Sequence, residues 1–351
     1  MIGYLIFFIF VFLIDNLKLP LEKKYISAFV VISVFSGIRY GIGYDYFYYY
    51  MMIITPGLPS SEPIPQLFLD LARVTHYSVF YILSSIFINF FYIIGLYAHR
   101  VPFSAIYFYI GFPSLLFTSF STIRQHMAFS VIFFLICLNR PNLFKKILII
   151  CVAFMCHRSS IITLLLLLPY DRVLNKNSLA FLALISFFIG EVLTNFLLTI
   201  ASDNPIISLF QFYLEDSPDT GFYKKLIIYI LVVMIIIKYQ QLINNGVEKK
   251  YLNLTILGGI LFSLFSVNSH VAERFCMFFF SSIMVYLNNF LKVIKFPINI
   301  YKFLCVIMFA MSVYVAHELS SHVGPWRDYR KSIAYPYGTI FENNPPKRID
   351  L

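Results

Sequence analysis

The chain has little charge. Asp, Glu, Lys and Arg make up 13% of its 351 residues, about half of the roughly 25% typical of soluble domains. So few charged side chains cannot cover a water-exposed surface, and 60% of the residues are hydrophobic. The composition therefore excludes a soluble enzyme and a nucleic-acid-binding protein. It favours a single polytopic bundle embedded in a membrane.

Cysteine and the common catalytic motifs are scarce or missing. Five cysteines lie in or beside apolar runs, and their spacing is not that of metal ligands. Their odd number argues against a disulfide framework. The sequence has no Walker loop, dinucleotide-binding glycine motif or serine-hydrolase elbow, which weakens the ATPase, dehydrogenase and hydrolase interpretations. We predict no metal and no cofactor.

Long apolar runs dominate what is present. About 20 apolar residues cross the ~30 Å hydrocarbon core, so we expect an all-α polytopic bundle of about twelve transmembrane helices. The predicted spans are 1–14, 25–38, 77–98, 101–117, 123–138, 143–156, 159–168, 179–200, 222–237, 252–267, 275–291 and 300–316. The short pair 143–156 and 159–168 could be two half-length helices or one broken helix. The second alternative would reverse the sidedness of every later span.

Charge alternates between the connections. One set holds fifteen Lys or Arg against four acids, and comprises 15–24, 99–100, 139–146, 169–178, 238–250 and 291–302. The other set holds twelve of each, and comprises 39–76, 118–124, 157–159, 201–225, 268–274 and 318–351. Cytoplasmic connections carry the excess of Lys and Arg, so the first set is predicted to be cytoplasmic. The predicted organisation is a transmembrane domain over residues 1–317, with an outer segment 39–76, and an extracytoplasmic tail 318–351.

Arginines collect on the predicted outer side. Arg124, Arg158 and Arg274 lie at or beside the starts of three predicted spans. Free backbone N–H groups and the helix dipole favour anions at such positions. Arg39 adds a fourth guanidinium from the end of span 25–38. The four predict an outward-facing pyrophosphate cradle, and the alternative is that each arginine snorkels to the interface.

Candidate proton acceptors lie in the same outer connections. Asp45 could deprotonate a sugar hydroxyl or simply pair with Arg39. His157 could be a general base near pH 7 or could satisfy the break between two short helices. Glu62 and Glu273 remain further candidates as base or substrate-binding groups.

Aromatic residues follow Asp45. Tyr44 and Tyr46 lie in a tyrosine-rich segment that could guide a sugar substrate. The alternative is an interfacial aromatic belt.

Several short motifs carry a family resemblance. They are Arg39-x-Gly41-x-Gly43-x-Asp45-Tyr46-x-x-Tyr49, Ile123-Arg124-Gln125-x-x-Ala128 and His157-Arg158-Ser159-Ser160, and Glu273-Arg274-Phe275 and Tyr335-Pro336-Tyr337 are similar too. In these motifs and their order, over about residues 25–340, the chain resembles the EpsG family of Wzy-type polysaccharide polymerases. The segment after Glu62 departs from the family pattern, which usually has an acidic residue and an aromatic close together there.

The resemblance implies a glycosyltransferase of the bacterial plasma (inner) membrane with a GT-C-like fold. Such an enzyme polymerises oligosaccharide repeats linked to undecaprenyl pyrophosphate into O-antigen, capsule or exopolysaccharide at the outer face. The expected partners are the lipid-linked oligosaccharide, membrane lipids, a chain-length regulator and a flippase, with no nucleic acid. The alternatives are a lipid-linked oligosaccharide flippase or transporter, a membrane O-acyltransferase, and a non-enzymatic assembly subunit.

Overall fold

The fold is helical, as the apolar runs predict. A computed structural model describes residues 2–43, 45–55, 57–168, 174–201, 222–266, 268–321 and 338–339. The α-helices are α1 (Ile2–Asn16), α2 (Leu21–Gly37), α3 (Tyr46–Ile54), α4 (Pro63–Val74), α5 (Ser78–Ala98), α6 (Ala105–Gly111), α7 (Ile123–Cys137), α8 (Leu143–Cys156), α9 (Lys176–Ala201), α10 (Phe222–Ile237), α11 (Tyr239–Asn244), α12 (Lys249–Leu264), α13 (Ser269–Phe280), α14 (Ile283–Val293) and α15 (Ile298–Ser321). Two 3-10 helices, Thr118–Phe120 and Arg158–Leu167, and two short strands, β1 (Arg39–Tyr40) and β2 (Gly338–Thr339), complete the described elements.

The chain divides into two compact units. The first contains residues 1–134, 152–158 and 298–351, and the second contains residues 135–151 and 159–297. The predicted start of the tail, at residue 318, lies inside α15, which continues to Ser321. The division into a transmembrane domain and a separate tail stays a prediction.

The outward faces of the helices are apolar. In α1, Phe7 and Val11 are buried, whereas Leu5 and Phe12 are 62% and 60% exposed. Phe188 of α9 is 70% exposed. A helix at a water-exposed surface carries polar residues on its outer face, and large apolar patches mark contact with another apolar phase. These helices therefore fit a membrane protein, as the composition predicts.

Helix length and composition identify few crossings on their own. α5 is the one helix in the described part of the chain that is by itself both long and apolar enough to cross a membrane. α13 and α14 meet the same requirement as a pair, bent by 74° at the break between them. Shorter apolar helices include α1 and α7, with 15 residues each, below the ~20 that span the core. About twelve crossings stays a prediction.

Two predicted spans contain breaks. The prediction of one helix over 101–117 is wrong, because α6 ends at Gly111. Pro113 follows closely, and a proline disfavours helical backbone at the residue before it. The prediction of one helix over 275–291 is also wrong, because the chain turns at Ser281 and Ser282 between α13 and α14. The Ser282 hydroxyl donates to the Tyr251 carbonyl at 3.1 Å, a bond that competes with regular helix.

The short pair of predicted spans contains a break. α8 ends at Cys156, and the 3-10 helix begins at Arg158. His157 lies between them, and its backbone N–H donates to the Ala153 carbonyl at 3.0 Å. A break at one residue fits both two half-length helices and one broken helix, so both alternatives stay predictions.

Buried polar side chains join the helices of the first unit. Asn89 of α5 donates to the Ser36 hydroxyl of α2 at 3.2 Å. Tyr109 of α6 donates to the Asn89 side-chain carbonyl at 2.7 Å. Helices in apolar surroundings associate through such hydrogen bonds and through small residues at their contacts. This network fixes α2 and α6 against α5, and α2 leads directly into β1.

The second unit is organised around α12, which packs against α9, α10 and α13. A Cβ at Gly258 would lie 2.7 Å from the Phe280 backbone nitrogen, so α12 and α13 approach closely. Tyr286 of α14 donates to the Thr255 hydroxyl of α12 at 3.0 Å. The close helix contact and the buried hydroxyls again follow the packing rules of membrane helices.

The contact between α6 and α15 generates a stability prediction. A Cβ at Gly111 would lie 2.6 Å from the Cys305 Cβ and 2.7 Å from its Cα. We expect Gly111→Ala to destabilise the protein by about 1–3 kcal/mol, because the backbone of α15 must shift. The measurement is the thermal unfolding temperature of the purified protein in detergent.

Gly37→Ala is the matched control. A Cβ at Gly37 would lie 3.2 Å from its nearest neighbour, the Ile82 Cα. The neighbour has to move by only a few tenths of an ångström to accept this Cβ, so a smaller effect than that of Gly111→Ala is expected. Equal unfolding temperatures for the two variants would contradict a tight contact at Gly111.

Candidate active site

A partly buried ion pair lies at the start of α7. Arg124 is in the first turn of that helix, and its Nη1 donates to the Glu62 Oε2 at 2.6 Å. The Glu62 side chain is 5% exposed and the Arg124 side chain 24%. Glu62 is the N-cap residue of α4, followed by Pro63 at the first helical position, where proline favours helix initiation. The local sequence therefore fixes the carboxylate at a helix end, facing the guanidinium.

Tyr49 of α3 holds Arg124 from a second side. The Arg124 Nε donates to the Tyr49 hydroxyl at 3.2 Å, and the guanidinium lies 5.9 Å from the ring centroid. Tyr49 is 1% exposed. Burial raises the pKa of Tyr49 to about 12, although the nearby Arg124 acts in the opposite direction. The phenol therefore stays neutral at physiological pH, and its oxygen accepts the hydrogen bond.

The charge of Glu62 is stabilised by its surroundings. Burial alone would raise the pKa of this carboxyl, but Arg124, a hydrogen bond from Ser61 and the nearby His157 outweigh burial and lower it. Glu62 is therefore an ionised, weak base at neutral pH. This favours a role in orienting the arginine over a role in accepting a proton.

Both predicted general bases lie in the same unit, near this pair. Asp45 precedes α3 and is half-buried, and its charge acts on Tyr49. His157 follows α8, is half-buried and acts electrostatically on Glu62. The structure thus brings Asp45, Tyr49, Glu62, Arg124 and His157 together from separate segments. We call these five residues the Arg124 cluster.

Arg39 is buried beneath aromatic rings. It is 2% exposed, and its guanidinium lies 4.9 Å from the Phe120 ring centroid and 5.5 Å from that of Tyr81. One Nη donates to the Ser36 carbonyl at the end of α2 and the other to the Phe120 carbonyl at 3.5 Å. A cation is favoured at the C-terminus of a helix. This environment favours a positioning role for Arg39 over direct contact with a ligand.

The glycine turn after Arg39 requires its glycines. Gly41 and Gly43 have φ of +68° and +106°, values that side-chain-bearing residues rarely adopt. A Cβ at Gly43 would overlap the Phe120 carbonyl group. We call residues 39–43 the Arg39 loop. Its glycine turn lies directly against the segment that leads into α7, and this contact keeps the Arg39 loop beside the Arg124 cluster.

A strand from the C-terminal part of the chain also reaches the Arg39 loop. β1 and β2 pair antiparallel, with Arg39 opposite Thr339 and Tyr40 opposite Gly338. The pairing therefore holds Gly338 and Thr339 against the segment that carries Arg39.

Three other predicted site residues, Arg158, Glu273 and Arg274, are not part of the Arg124 cluster. Arg158 is exposed and opens the 3-10 helix. Glu273 and Arg274 are half-buried in the second unit. Arg274 was expected at or beside the start of its helix, but α13 begins earlier, at Ser269, where the Asn268 side chain caps it by accepting from the Val271 N–H at 3.0 Å. Arg274 therefore lies in the second turn.

Of the two predicted sugar-binding tyrosines, only Tyr46 is among the described residues, and it has no exposed face for a sugar. Tyr44 lies outside the described residues. Tyr46 is fully buried, and its ring stacks on Tyr81 with the centroids 4.2 Å apart. The Tyr81 hydroxyl donates to the Tyr46 carbonyl at 2.7 Å. Tyr46 is therefore a packing residue.

Sequence reasoning missed the parts played by Tyr49 and Tyr81. A signal for Tyr49 was present, because Tyr46 and Tyr49 are three residues apart and so share one face of α3. Tyr81 lies within a predicted apolar span and carries no comparable signal. Within the described residues, no three His, Cys, Asp or Glu side chains are placed to hold a metal ion together.

The fold and the cluster define a class of protein, a helical membrane protein with buried charged groups at the ends of its helices. A family profile assigns the chain within that class. The profile of the EpsG family matches residues 22–337, so the chain belongs to the EpsG family, and the resemblance found in its motifs is confirmed. No curated protein and no solved structure gives a match to the chain.

The Glu62–Arg124 pair generates a pH prediction. The folded-state pKa of Glu62 is lowered, so its contribution to stability is present above the ordinary carboxyl pKa and is lost as pH falls through the lowered value. We expect the unfolding temperature of the wild type to exceed that of Glu62→Gln at about pH 7, and the gap to narrow by about pH 3.

Asp70→Asn is the control for this comparison. Asp70 pairs with Arg73 at 2.7 Å, but its side chain is 55% exposed, and exposed pairs contribute little. Its effect on the unfolding temperature should be small at every pH. A gap between wild type and Glu62→Gln that does not change with pH would contradict the assignment of an ionised Glu62.

Proposed function

We propose that this protein is a polysaccharide polymerase that joins lipid-linked oligosaccharide repeats by glycosyl transfer. The observation that carries the proposal is the Arg124 cluster, in which a guanidinium is held at a helix start by Glu62 at 2.6 Å and Tyr49 at 3.2 Å. Membership of the EpsG family supports it, as does the predicted outer position of the connection 118–124. The substrates we propose carry undecaprenyl pyrophosphate.

Arg124 would bind the pyrophosphate of the donor. Its bonds to Tyr49 and Glu62 use Nε and Nη1, and its Nη2 takes part in neither. A guanidinium edge at the N-terminus of a helix binds phosphate oxygens well. Because Glu62 balances one positive charge, the buried Arg39 on the adjoining loop would add to the positive potential. Contributions from Arg158 and Arg274 stay predictions.

The proposed reaction is a displacement at the anomeric carbon of the donor. A hydroxyl oxygen of the acceptor repeat forms the new bond to that carbon, and the bond from carbon to the pyrophosphate oxygen breaks. Undecaprenyl pyrophosphate leaves with the electron pair, and the hydroxyl proton passes to a base. Positive charge already in place at the leaving group stabilises the negative charge that develops there.

His157 is the base we propose, with Asp45 orienting the acceptor hydroxyl. Histidine titrates close to neutral pH, whereas the pKa of Glu62 is lowered by its pairing. The electrostatic attraction between Glu62 and His157 would stabilise the imidazolium formed when His157 accepts the proton. A carboxylate supports a catalytic histidine in the same way in serine hydrolases.

The setting we propose is the bacterial plasma (inner) membrane, with the site facing outward. The product would be O-antigen, capsule or exopolysaccharide. A flippase would supply the repeats and a chain-length regulator would limit the polymer. The reaction would use no cofactor, since the arginine charge could serve the leaving group.

Purified protein supplied with lipid-linked repeats tests the proposal. The wild type should form a polymer ladder, and Arg124→Ala should slow chain elongation by about 10²–10³-fold, the usual cost of removing one electrostatic stabiliser. Arg124→Lys should be impaired as well, because lysine lacks the fork that meets Glu62 and Tyr49 together.

Arg73→Lys is the matched control. Arg73 lies in the same predicted outer segment and binds Asp70 and the carbonyls of Met52 and Leu58, outside the Arg124 cluster. Its ladder should stay close to wild type when the protein is stable. Unchanged ladders from both Arg124 variants, or transport of repeats with no new glycosidic bond, would refute the proposed polymerase.

The pH dependence of elongation tests the choice of base. With His157 as the base, His157→Gln should lower the rate by about 10²–10⁴-fold. It should also remove the rise in rate that the wild type shows on passing from acid to about pH 7. Asp45→Asn should lower the rate but keep that rise. If the rise persists in His157→Gln and disappears in Asp45→Asn, the roles are reversed.

A further inference from the structure

The second unit contains a cavity of about 360 Å³ whose lining is rich in cations. Arg140, Lys146 and Lys250 line it, with Glu248 as its one acidic lining residue in the described part of the chain. Leu138 and Leu166 contribute to its apolar walls. The lining therefore has an excess of two positive charges next to apolar surface.

The lysines of this cavity are held in place. The Lys146 Nζ donates to the Leu166 carbonyl at 3.3 Å. Lys250 is 14% exposed, and its Nζ lies 3.6 Å from the carboxylate of Glu248, which is itself 55% exposed. An exposed carboxylate at that distance balances only part of the charge, so the site is well suited to a further anion.

Arg140 adds an unusual backbone conformation. Its φ is +47°, in the left-handed region that residues other than glycine, asparagine and aspartate seldom adopt. The turn between α7 and α8 contains this residue, and Pro141 follows it. This residue lies on the lining of the cavity.

We infer that this cavity binds the phosphate headgroup of an anionic phospholipid from the cytoplasmic leaflet. The cationic residues come from connections 139–146 and 238–250, both in the set that the charge alternation assigns to the cytoplasm. Basic pockets on that side of membrane proteins bind anionic headgroups. A cavity of about 360 Å³ is of a size that encloses small ligands.

The surroundings of Lys146 favour a lipid over a soluble anion. Leu143, Phe144 and Ile147 lie on the same helix and are 62%, 72% and 44% exposed. Large exposed apolar side chains beside a cationic cavity would contact acyl chains while the cations hold the phosphate. The inference is independent of the proposed polymerase, because the cavity residues are not part of the Arg124 cluster.

Lipid binding to the purified full-length protein tests the inference. The probes are phosphatidylglycerol and phosphatidylcholine, measured by native mass spectrometry and by the rise in unfolding temperature. The wild type should prefer phosphatidylglycerol. The double variant Lys146→Gln with Lys250→Gln should lose about tenfold or more in affinity for it, with little change for phosphatidylcholine.

Neighbouring lysines provide the matched control. Lys145 and Lys249 are each one residue from a cavity lysine and are exposed, so Lys145→Gln with Lys249→Gln makes the same change in net charge outside the cavity. This control should keep the preference for phosphatidylglycerol. Lys146→Arg with Lys250→Arg, which retains the charge, should keep it too.

A second pair of variants covers the case in which the double variant does not fold. Arg140 and Lys295 are both exposed and both have positive φ, and Lys295 does not line the cavity. Arg140→Gln should weaken phosphatidylglycerol binding, and Lys295→Gln should not.

Three outcomes would overturn the inference. The first is equal binding of the two lipids by the wild type. The second is an equal loss of binding in the cavity variants and in their controls, which indicates nonspecific surface charge. The third is displacement of the lipid by the same concentration of glycerol 3-phosphate, which indicates a soluble anion as the ligand.

Discussion

The account depends on a partly buried pair of opposite charges, Glu62 with Arg124. Charges in apolar surroundings are tolerated when they are paired and hydrogen-bonded. Removing Arg124 leaves the buried carboxylate of Glu62 uncompensated, which is destabilising. Since the carboxylate lies at the start of α4 and the guanidinium at the start of α7, the pair fixes two helix ends together. Tyr49 extends the same constraint to α3.

A second constraint places the Arg39 loop beside that pair. Gly43 lies so close to the Phe120 backbone that no side chain fits, and the guanidinium of Arg39 packs on the Phe120 ring. Phe120 in turn leads through a short turn into α7. The two arginines therefore have different environments, because Arg39 is enclosed by rings and carbonyls and Arg124 is partly exposed. This difference is why we assign positioning to Arg39 and phosphate binding to Arg124.

Much of the fold and part of the candidate site could be predicted from the sequence. The rest could not, and each failure has a physical reason. Apolar runs predicted the helices. Arg124 was expected at a helix start and lies there. Its pairing with Glu62 could not be predicted, because the partners are 62 residues apart and nothing local specifies the contact. The break at Ser281 was also hidden, since serine interrupts an apolar run without excluding helix.

The most direct test of the central claim is a double-mutant cycle on Glu62 and Arg124, with chain elongation by purified protein as the readout. The account predicts strong coupling, about 0.5–3 kcal/mol, so that Glu62→Gln adds little to the loss already caused by Arg124→Ala. Losses in the double variant that simply add would show that the two residues act independently, and would contradict the claim that the carboxylate acts by holding the guanidinium.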